Sequence, residues 1–125
     1  MTQAQKEDVR VVVVDDDPDA AESLKDLLVL DGYNVFTAAD AAEALKLVAE
    51  QQPLCVLLDI GLPGMDGNDL ARALRAQHGA DLVVVAVTGR SGEDDRLEAE
   101  RAGVDYVLVK PLDPRLLRKM LPRID

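Results

Sequence analysis

The feature that most constrains this chain is a regular alternation of short β-branched runs with longer segments of helical period. The runs predict five strands, at Arg10–Val14, Asn34–Thr37, Leu54–Leu58, Leu82–Val87 and Tyr106–Val109. Three of these runs are almost continuously apolar, which is typical of parallel strands that are covered on both faces. The segments between and after them predict helices at about Asp19–Asp31, Ala41–Gln51, Asn68–Gln77, Gly92–Ala102 and Arg115–Leu121.

Five β-then-α units in succession predict an α/β fold with a single doubly wound, five-stranded parallel sheet. The crossovers between the strands are expected to be right-handed. A chain of 125 residues suffices for one compact domain and is too short for two. We expect residues 1–8 to form a loose polar N-terminal tail and residues 9–125 to form the domain.

The composition argues against several classes of function. The formal net charge of −10 at pH 7 argues against direct binding to nucleic acid or to anionic membranes. No apolar run approaches the roughly 18 residues of a membrane span, and the polar N-terminal segment does not resemble a secretory signal. The single cysteine, Cys55, suits a reducing compartment. We therefore expect a cytoplasmic location.

Polar residues gather where the predicted strands end. In open parallel sheets, ligands bind outside the carboxyl ends of the strands. The residues at these ends are Asp15, Asp16 and Asp17 after the first strand, Asp59 after the third, Thr88 after the fourth and Lys110 after the fifth. Asp17 precedes Pro18, and this pair is interpreted as a helix N-cap followed by proline rather than as part of a metal site. The sequence therefore predicts a site with several carboxylates, one hydroxyl and one ammonium group.

The chemistry of this set points to phosphoryl transfer. Carboxylates that meet at one site repel one another, which raises a pKa and reduces stability. A divalent cation removes that repulsion, and Mg²⁺ prefers oxygen ligands while it keeps several waters. Lys110 and Thr88 can bind anionic oxygens beside it, as phosphoryl transfer requires. One carboxylate can then act as the nucleophile and become an aspartyl phosphate.

With these motifs in order, the chain resembles the receiver domain of two-component response regulators, the CheY-like family. The resemblance covers residues 10 to about 121. Its motifs are Asp15-Asp16 after VVVV, Asp59 in LLDIGLPGMDG, Thr88 in VVAVTG and Lys110 in YVLVKPL. Each motif alone is weak, whereas all of them together, at the ends of the expected strands, are specific. The resemblance implies a flavodoxin-like sheet with strand order 2-1-3-4-5.

The resemblance also implies a role for each residue of the metal site. Asp59 corresponds to the phosphoacceptor. Asp16 corresponds to the direct Mg²⁺ ligand, together with Asp59 and the backbone carbonyl of Gly61. Asp15 corresponds to a second acidic residue that contacts the metal through water.

For the switch, Thr88 corresponds to the hydroxyl that moves to the phosphoryl oxygen, and Lys110 to the ammonium group that pairs with the phosphoryl group. The family also implies a cis bond before Pro111. Most receivers carry an aromatic residue three positions before the lysine, whereas this chain has Val107 there. Tyr106, one residue earlier on the strand, faces the opposite side. The sequence leaves open whether the switch works without an aromatic residue at Val107.

The implied function is that of a signalling module. A sensor histidine kinase or a histidine phosphotransfer protein would donate a phosphoryl group from its phosphohistidine to Asp59, with Mg²⁺ as cofactor. The chain would be catalytic only in assisting its own phosphorylation and dephosphorylation, and its changed surface would bind a downstream protein. The single histidine, His78, is interpreted as a solvated residue after the third helix rather than as a phosphodonor.

The sequence leaves two alternatives open. The first is a phosphohydrolase similar to the haloacid dehalogenase superfamily, with Asp15 as nucleophile, Asp17 as acid/base, and Thr88 and Lys110 as later motifs. Against it, that superfamily expects a further acidic pair after the lysine, and Asp59 has no role in it. The second alternative is a receiver-like domain that binds partners without phosphorylation, against which the complete acceptor set argues.

Overall fold

Strands and helices alternate along the whole of the chain that the structure describes. This computed structural model describes residues 9–60, 67–89, 93–110 and 112–121. The strands in these ranges are β1 Arg10–Val14, β2 Asn34–Ala38, β3 Cys55–Asp59, β4 Val83–Thr88 and β5 Tyr106–Val109. The α-helices are α1 Pro18–Leu30, α2 Ala41–Gln51, α3 Gly67–His78, α4 Glu93–Arg101 and α5 Pro114–Met120, and a short 3₁₀ turn, Gly79–Asp81, follows α3. None of the described helices combines the length and the apolar character that a membrane span requires.

The five strands form one parallel sheet in the order β2-β1-β3-β4-β5, which confirms the predicted fold class and strand order. The predicted strand ends were slightly wrong. We expected the third and fourth strands to stop before the polar residues, but Asp59 pairs with Val87 and Thr88 pairs with Val109. Backbone pairing therefore continues through the polar residues, which places them in the sheet itself rather than in the loops beyond it.

The sheet is buried on both faces, as the continuous apolar runs predicted. Alternate residues of each strand belong to different clusters, because successive side chains of a strand point to opposite faces. On β1, for example, Val12 and Val14 pack with α2, α3 and α4, whereas Val11 and Val13 pack with α1 and α5. One helix residue that the sequence analysis took for solvated, His78, is only partly exposed, and its Nε2 is buried without a hydrogen-bond partner among the described residues.

Local signals set the helix ends. The side chain of Asp17 accepts a hydrogen bond from the backbone N–H of Asp19 at 3.0 Å, which confirms it as the N-cap of α1. The chain leaves α1 and α4 through Gly32 and Gly103, which have φ values of +94° and +96°. These left-handed conformations favour glycine and end both helices. The start predicted for the fourth helix, at Gly92, lies outside the described residues, as do the tail of residues 1–8 and the bond before Pro111.

Candidate functional site

The acidic site is formed by the ends of two neighbouring strands. Asp15 and Asp16 directly follow β1, and Asp59 is the last residue of β3. Because β1 and β3 pair with Val14 opposite Leu58, their carboxyl ends lie side by side. Carboxylate oxygens of Asp15, Asp16 and Asp59 accordingly lie within 4.8 Å of one another. The structure thus brings together the three acidic residues that the sequence analysis assigned to the metal site.

The surroundings of Asp15 disfavour the charged form of its carboxyl group. Burial raises the pKa of Asp15 above its ordinary value, and the charges of Asp59 and Asp16 raise it further. Two groups oppose this effect, namely the backbone N–H of Asp17, which donates to Asp15 Oδ1 at 3.0 Å, and the ammonium group of Lys110. The site therefore carries negative charge that is incompletely compensated by the described residues.

Lys110, which directly follows β5, reaches the acidic site from the end of that strand. Its ammonium nitrogen lies 3.3 Å from Oδ2 of Asp59 and forms an ion pair with it. The backbone N–H of Lys110 donates to the carbonyl oxygen of Thr88 at 2.8 Å, so the residue after β5 remains attached to the end of β4. Asp59 is mostly buried whereas Lys110 is about half exposed. The lysine therefore covers the carboxylate from the solvent side.

Thr88 lies on the strand between these two groups. It is the last residue of β4, is 7% exposed, and directly follows Val87, the partner of Asp59 in the ladder. The structure thus places Thr88, Asp59 and Lys110 on three consecutive strand ends. Gly61, whose backbone carbonyl the sequence analysis assigned to the metal, lies outside the described residues.

The donor set fits a hard divalent cation. Three carboxylates supply only oxygen ligands, which Mg²⁺ and Ca²⁺ prefer over the nitrogen and sulfur ligands typical of zinc sites. Asp15 and Asp59 are partly buried and Asp16 is exposed, so the site is open enough for a cation to retain waters. A bound cation would also offset the burial and the neighbouring negative charges that together raise the pKa of Asp15.

The backbone of Ile60 closely approaches the start of α3 at Gly67. The N–H of Gly67 donates to the carbonyl oxygen of Ile60 at 3.2 Å. A Cβ atom at Gly67 would lie 2.5 Å from the Cα of Ile60, so only glycine fits there without movement of the backbone. Gly67 is the first residue of α3, which therefore begins one residue before the start at Asn68 that the sequence predicted.

A cavity of about 570 Å³, which the sequence did not predict, lies beside the acidic site. It lies between α1, the sheet and the segment that follows β5. The residues that line it are Val13, Val14, Asp15, Ala20, Ser23, Leu24, Leu27, Leu57, Asp59, Val87, Lys110 and Leu112. One signal was present in the sequence: α1 contributes small side chains, Ala20 and Ser23, at positions that face this space.

The fold and the site together define an α/β domain with an acidic, cation-compatible site and a lysine at the carboxyl edge of a parallel sheet. A model of the response regulator receiver domain matches residues 11–122. The chain therefore belongs to the response regulator receiver domain family of two-component systems.

Individual relatives agree with this assignment. The chain is 43% identical over 115 residues to the transcriptional regulatory protein PrrA of Mycobacterium tuberculosis, an alignment that covers 92% of this chain and 48% of PrrA. The chain thus spans about half the length of the curated relatives it matches.

Solved structures show the same fold. A CheY-like receiver domain protein from Methanospirillum hungatei superposes with a TM-score of 0.83 at 32% identity, over 89% of this chain and 88% of that one. A response regulator from Burkholderia pseudomallei, described with a phosphorylated aspartic acid, a calcium ion and citrate, has a TM-score of 0.85 at 26% identity, over 91% of this chain and 66% of that one.

The family assignment leaves the haloacid dehalogenase-like alternative without support. The geometry also disfavours it, because the carboxylate of Asp17, its acid/base, caps α1. Asp59, which that alternative left without a role, contributes to the carboxylate cluster and pairs with Lys110.

Proposed function

We propose that Asp59 accepts a phosphoryl group from a phosphohistidine of a partner protein, either a sensor histidine kinase or a histidine phosphotransfer protein, in the cytoplasm. The observation that carries this proposal is the position of the Asp59 carboxylate, which lies within 4.8 Å of two other carboxylates and 3.3 Å from the Lys110 ammonium. The Burkholderia pseudomallei structure, with its phosphorylated aspartate and bound cation, supports the same chemistry in a similar fold.

The transfer is a nucleophilic displacement at phosphorus. A carboxylate oxygen of Asp59 forms a bond to phosphorus while the bond from phosphorus to the imidazole nitrogen breaks, and the electron pair of that bond returns to the ring. Asp59 gives up its own charge to an acyl phosphate, so the negative charge moves outward onto the phosphoryl oxygens. Lys110, already 3.3 Å from the carboxylate, can follow that charge with a small movement of its side chain.

The acidic cluster would hold Mg²⁺. Asp16 would be the direct ligand, together with Asp59 and the backbone carbonyl of Gly61. Asp15 would contact the ion through water. When bound, the ion supplies positive charge that compensates the phosphoryl oxygens. The carboxylates position that charge next to the nucleophile.

Thr88 would carry the switch. Its hydroxyl can donate to a phosphoryl oxygen on Asp59, which draws the end of β4 toward the modified site and reorders the loop that follows. Val107 packs against the α2–α4 side of the sheet, whereas Tyr106 is 43% exposed on the opposite side of β5. Among the described residues of β5, no aromatic side chain therefore lies on the side of the sheet where Val107 packs. The segment after Thr88 would then carry the change to the partner-binding surface.

The test is a labelling experiment with two small donors. The protein is incubated with Mg²⁺ and either acetyl phosphate or phosphoramidate, whose P–N bond resembles that of phosphohistidine, and the modified residue is located by mass spectrometry. We expect the label on Asp59 and its loss in Asp59→Asn. Asp17→Asn is the matched control, since asparagine retains the N-cap, and it should label normally. Label on Asp15, or label that persists in Asp59→Asn, would overturn the proposal.

A further inference from the structure

The cavity beside the acidic site has the size and wall chemistry of a small-molecule site. Its volume of about 570 Å³ lies within the range of roughly 300–1,000 Å³ that is typical of ligand pockets. An apolar cavity of about 150 Å³ already holds benzene. The space is therefore large enough for an aromatic ring or a short alkyl chain together with a polar head group.

The walls divide into an apolar body and a charged end. The apolar part is formed by Val13 and Leu57 of the sheet, Leu24 and Leu27 of α1, and Leu112 after β5. α1 also contributes two small side chains to the lining, those of Ala20 and Ser23.

The charged end of the cavity is lined by Asp15, Asp59 and Lys110. The ammonium group of Lys110 has three N–H donors and is 43% exposed, so it can bind a further anion while it pairs with Asp59. In the absence of a cation the carboxylates would repel that anion. In the metal-bound protein that the proposed function requires, the repulsion is compensated, and an anionic group is favoured at this end.

We propose that this cavity binds small organic anions with an apolar body, with the head group at Lys110 and the body between α1 and the sheet. The inference rests on the proposed function, because the cation of the acidic site compensates the carboxylates. Such an anion occupies the position at Lys110 that the phosphoryl group of Asp59 needs. Its binding therefore competes with phosphorylation and makes the receiver sensitive to small amphipathic metabolites.

The test compares two ligands with the same head group. Phenylphosphonate and methylphosphonate are titrated into the full chain in Mg²⁺ buffer, and binding is measured by calorimetry and by backbone amide shifts. We expect phenylphosphonate to bind at least about tenfold more tightly, with shift changes at Leu24, Leu27 and Leu112. Equal affinities, or shift changes confined to the acidic residues, would overturn the proposal without the need for a variant.

A filled cavity provides the second arm. Ala20→Leu adds side-chain volume inside the cavity, and Ala42→Leu adds the same volume at an exposed position of α2, on the other side of the sheet. Ala20→Leu should remove the preference for phenylphosphonate and leave methylphosphonate binding intact, whereas Ala42→Leu should change neither. A preference that persists in folded Ala20→Leu contradicts the proposal.

The competition is measured separately. Phenylphosphonate should slow the labelling of Asp59 by phosphoramidate in the unmodified chain, and the effect should be much weaker in Ala20→Leu. Tight binding without any effect on the labelling rate would refute the competition. If Asp59 is never labelled, the proposed function fails, and the comparison of the two phosphonates still decides whether the cavity binds them.

Discussion

The ammonium nitrogen of Lys110 lies 3.3 Å from Oδ2 of Asp59, although the two residues are 51 positions apart in the chain. The contact spans the end of β4, which separates the strands that carry them. Since the lysine is about half exposed, such an ion pair contributes only about 0–1 kcal/mol to stability. The position of Lys110 is therefore better explained by the proposed phosphorylation, in which it would pair with the phosphoryl oxygens on Asp59, than by the stability of the fold.

The first prediction separates these two roles of Lys110. Lys110→Met should reduce the rate of Asp59 labelling by acetyl phosphate about tenfold or more, because the phosphoryl oxygens lose a charged donor. The free energy of unfolding should change by no more than about 1 kcal/mol. Lys46→Met, on the exposed surface of α2, is the control and should alter neither quantity. A labelling rate that is unchanged in Lys110→Met would contradict the assigned role.

The second prediction concerns pH and Asp15. Its pKa is raised above the ordinary 3.8, mainly by burial and further by Asp59 and Asp16. As the pH rises from below 3.8 through the raised value, the unfolded chain loses this proton first, so the folded state is progressively destabilised. In metal-free buffer, Asp15→Asn should therefore be more stable than the unmodified chain at pH 7, with the advantage vanishing in acid. Denaturation curves in chelator across this pH range test it, and an advantage that grows in acid would refute it.

The third prediction concerns the metal. Mg²⁺ that binds the folded chain alone stabilises it, by about 2.7 kcal/mol at 100 times its dissociation constant. Thermal unfolding with Mg²⁺ and with chelator should show this difference in the unmodified chain and lose it in Asp16→Asn and Asp59→Asn. Asp40→Asn, which retains the N-cap of α2, should keep the full response. A response that survives in Asp59→Asn would place the ion elsewhere.

The sequence predicted the fold well, and it also predicted that the three carboxylates and Lys110 lie together, because both follow from local signals that repeat. Apolar runs identify strands that are covered on both faces, and polar residues directly after them identify the functional edge. The sequence did not predict that β3 extends through Asp59 and β4 through Thr88. Hydrophobicity describes side chains, whereas these two residues belong to the strands through their backbone pairing. The cavity was missed for another reason: the space left by Ala20 depends on how closely α1 packs on the sheet, which no local pattern determines.

The fourth prediction tests the close approach after Asp59. Gly67→Ala places a Cβ atom 2.5 Å from the Cα of Ile60, and backbone rather than a flexible side chain must move. We expect a loss of about 1–3 kcal/mol in the free energy of unfolding and slower labelling of Asp59, which directly precedes Ile60. Gly89→Ala, where an added Cβ meets nothing within 4 Å, is the stability control. Equal stabilities of the two variants would show that the backbone at Ile60 yields easily.

The fifth prediction concerns Arg75, at the opposite edge of the sheet from the acidic site. Its guanidinium group donates to the carbonyl oxygens of Gly79, Leu82 and Gly103 and pairs with Asp105 at 2.8 Å. The arginine thereby links the end of α3 to the start of β4 and to the connection between α4 and β5. Its side chain is 22% exposed, so water replaces these bonds only in part. Arg75→Met should lower the free energy of unfolding by about 1.5–3 kcal/mol.

Arg72 provides a matched control one turn earlier on the same helix. It pairs with Asp69 at 2.7 Å, but both side chains are more than half exposed, so Arg72→Met should cost at most about 0.5 kcal/mol. Urea denaturation of the two variants gives the comparison directly. Because Arg75 lies far from the acidic site in the fold, both variants should still label Asp59 while folded. If Arg72→Met proves as destabilising as Arg75→Met, the loss arises from removing a charge from α3 rather than from breaking the contacts of Arg75.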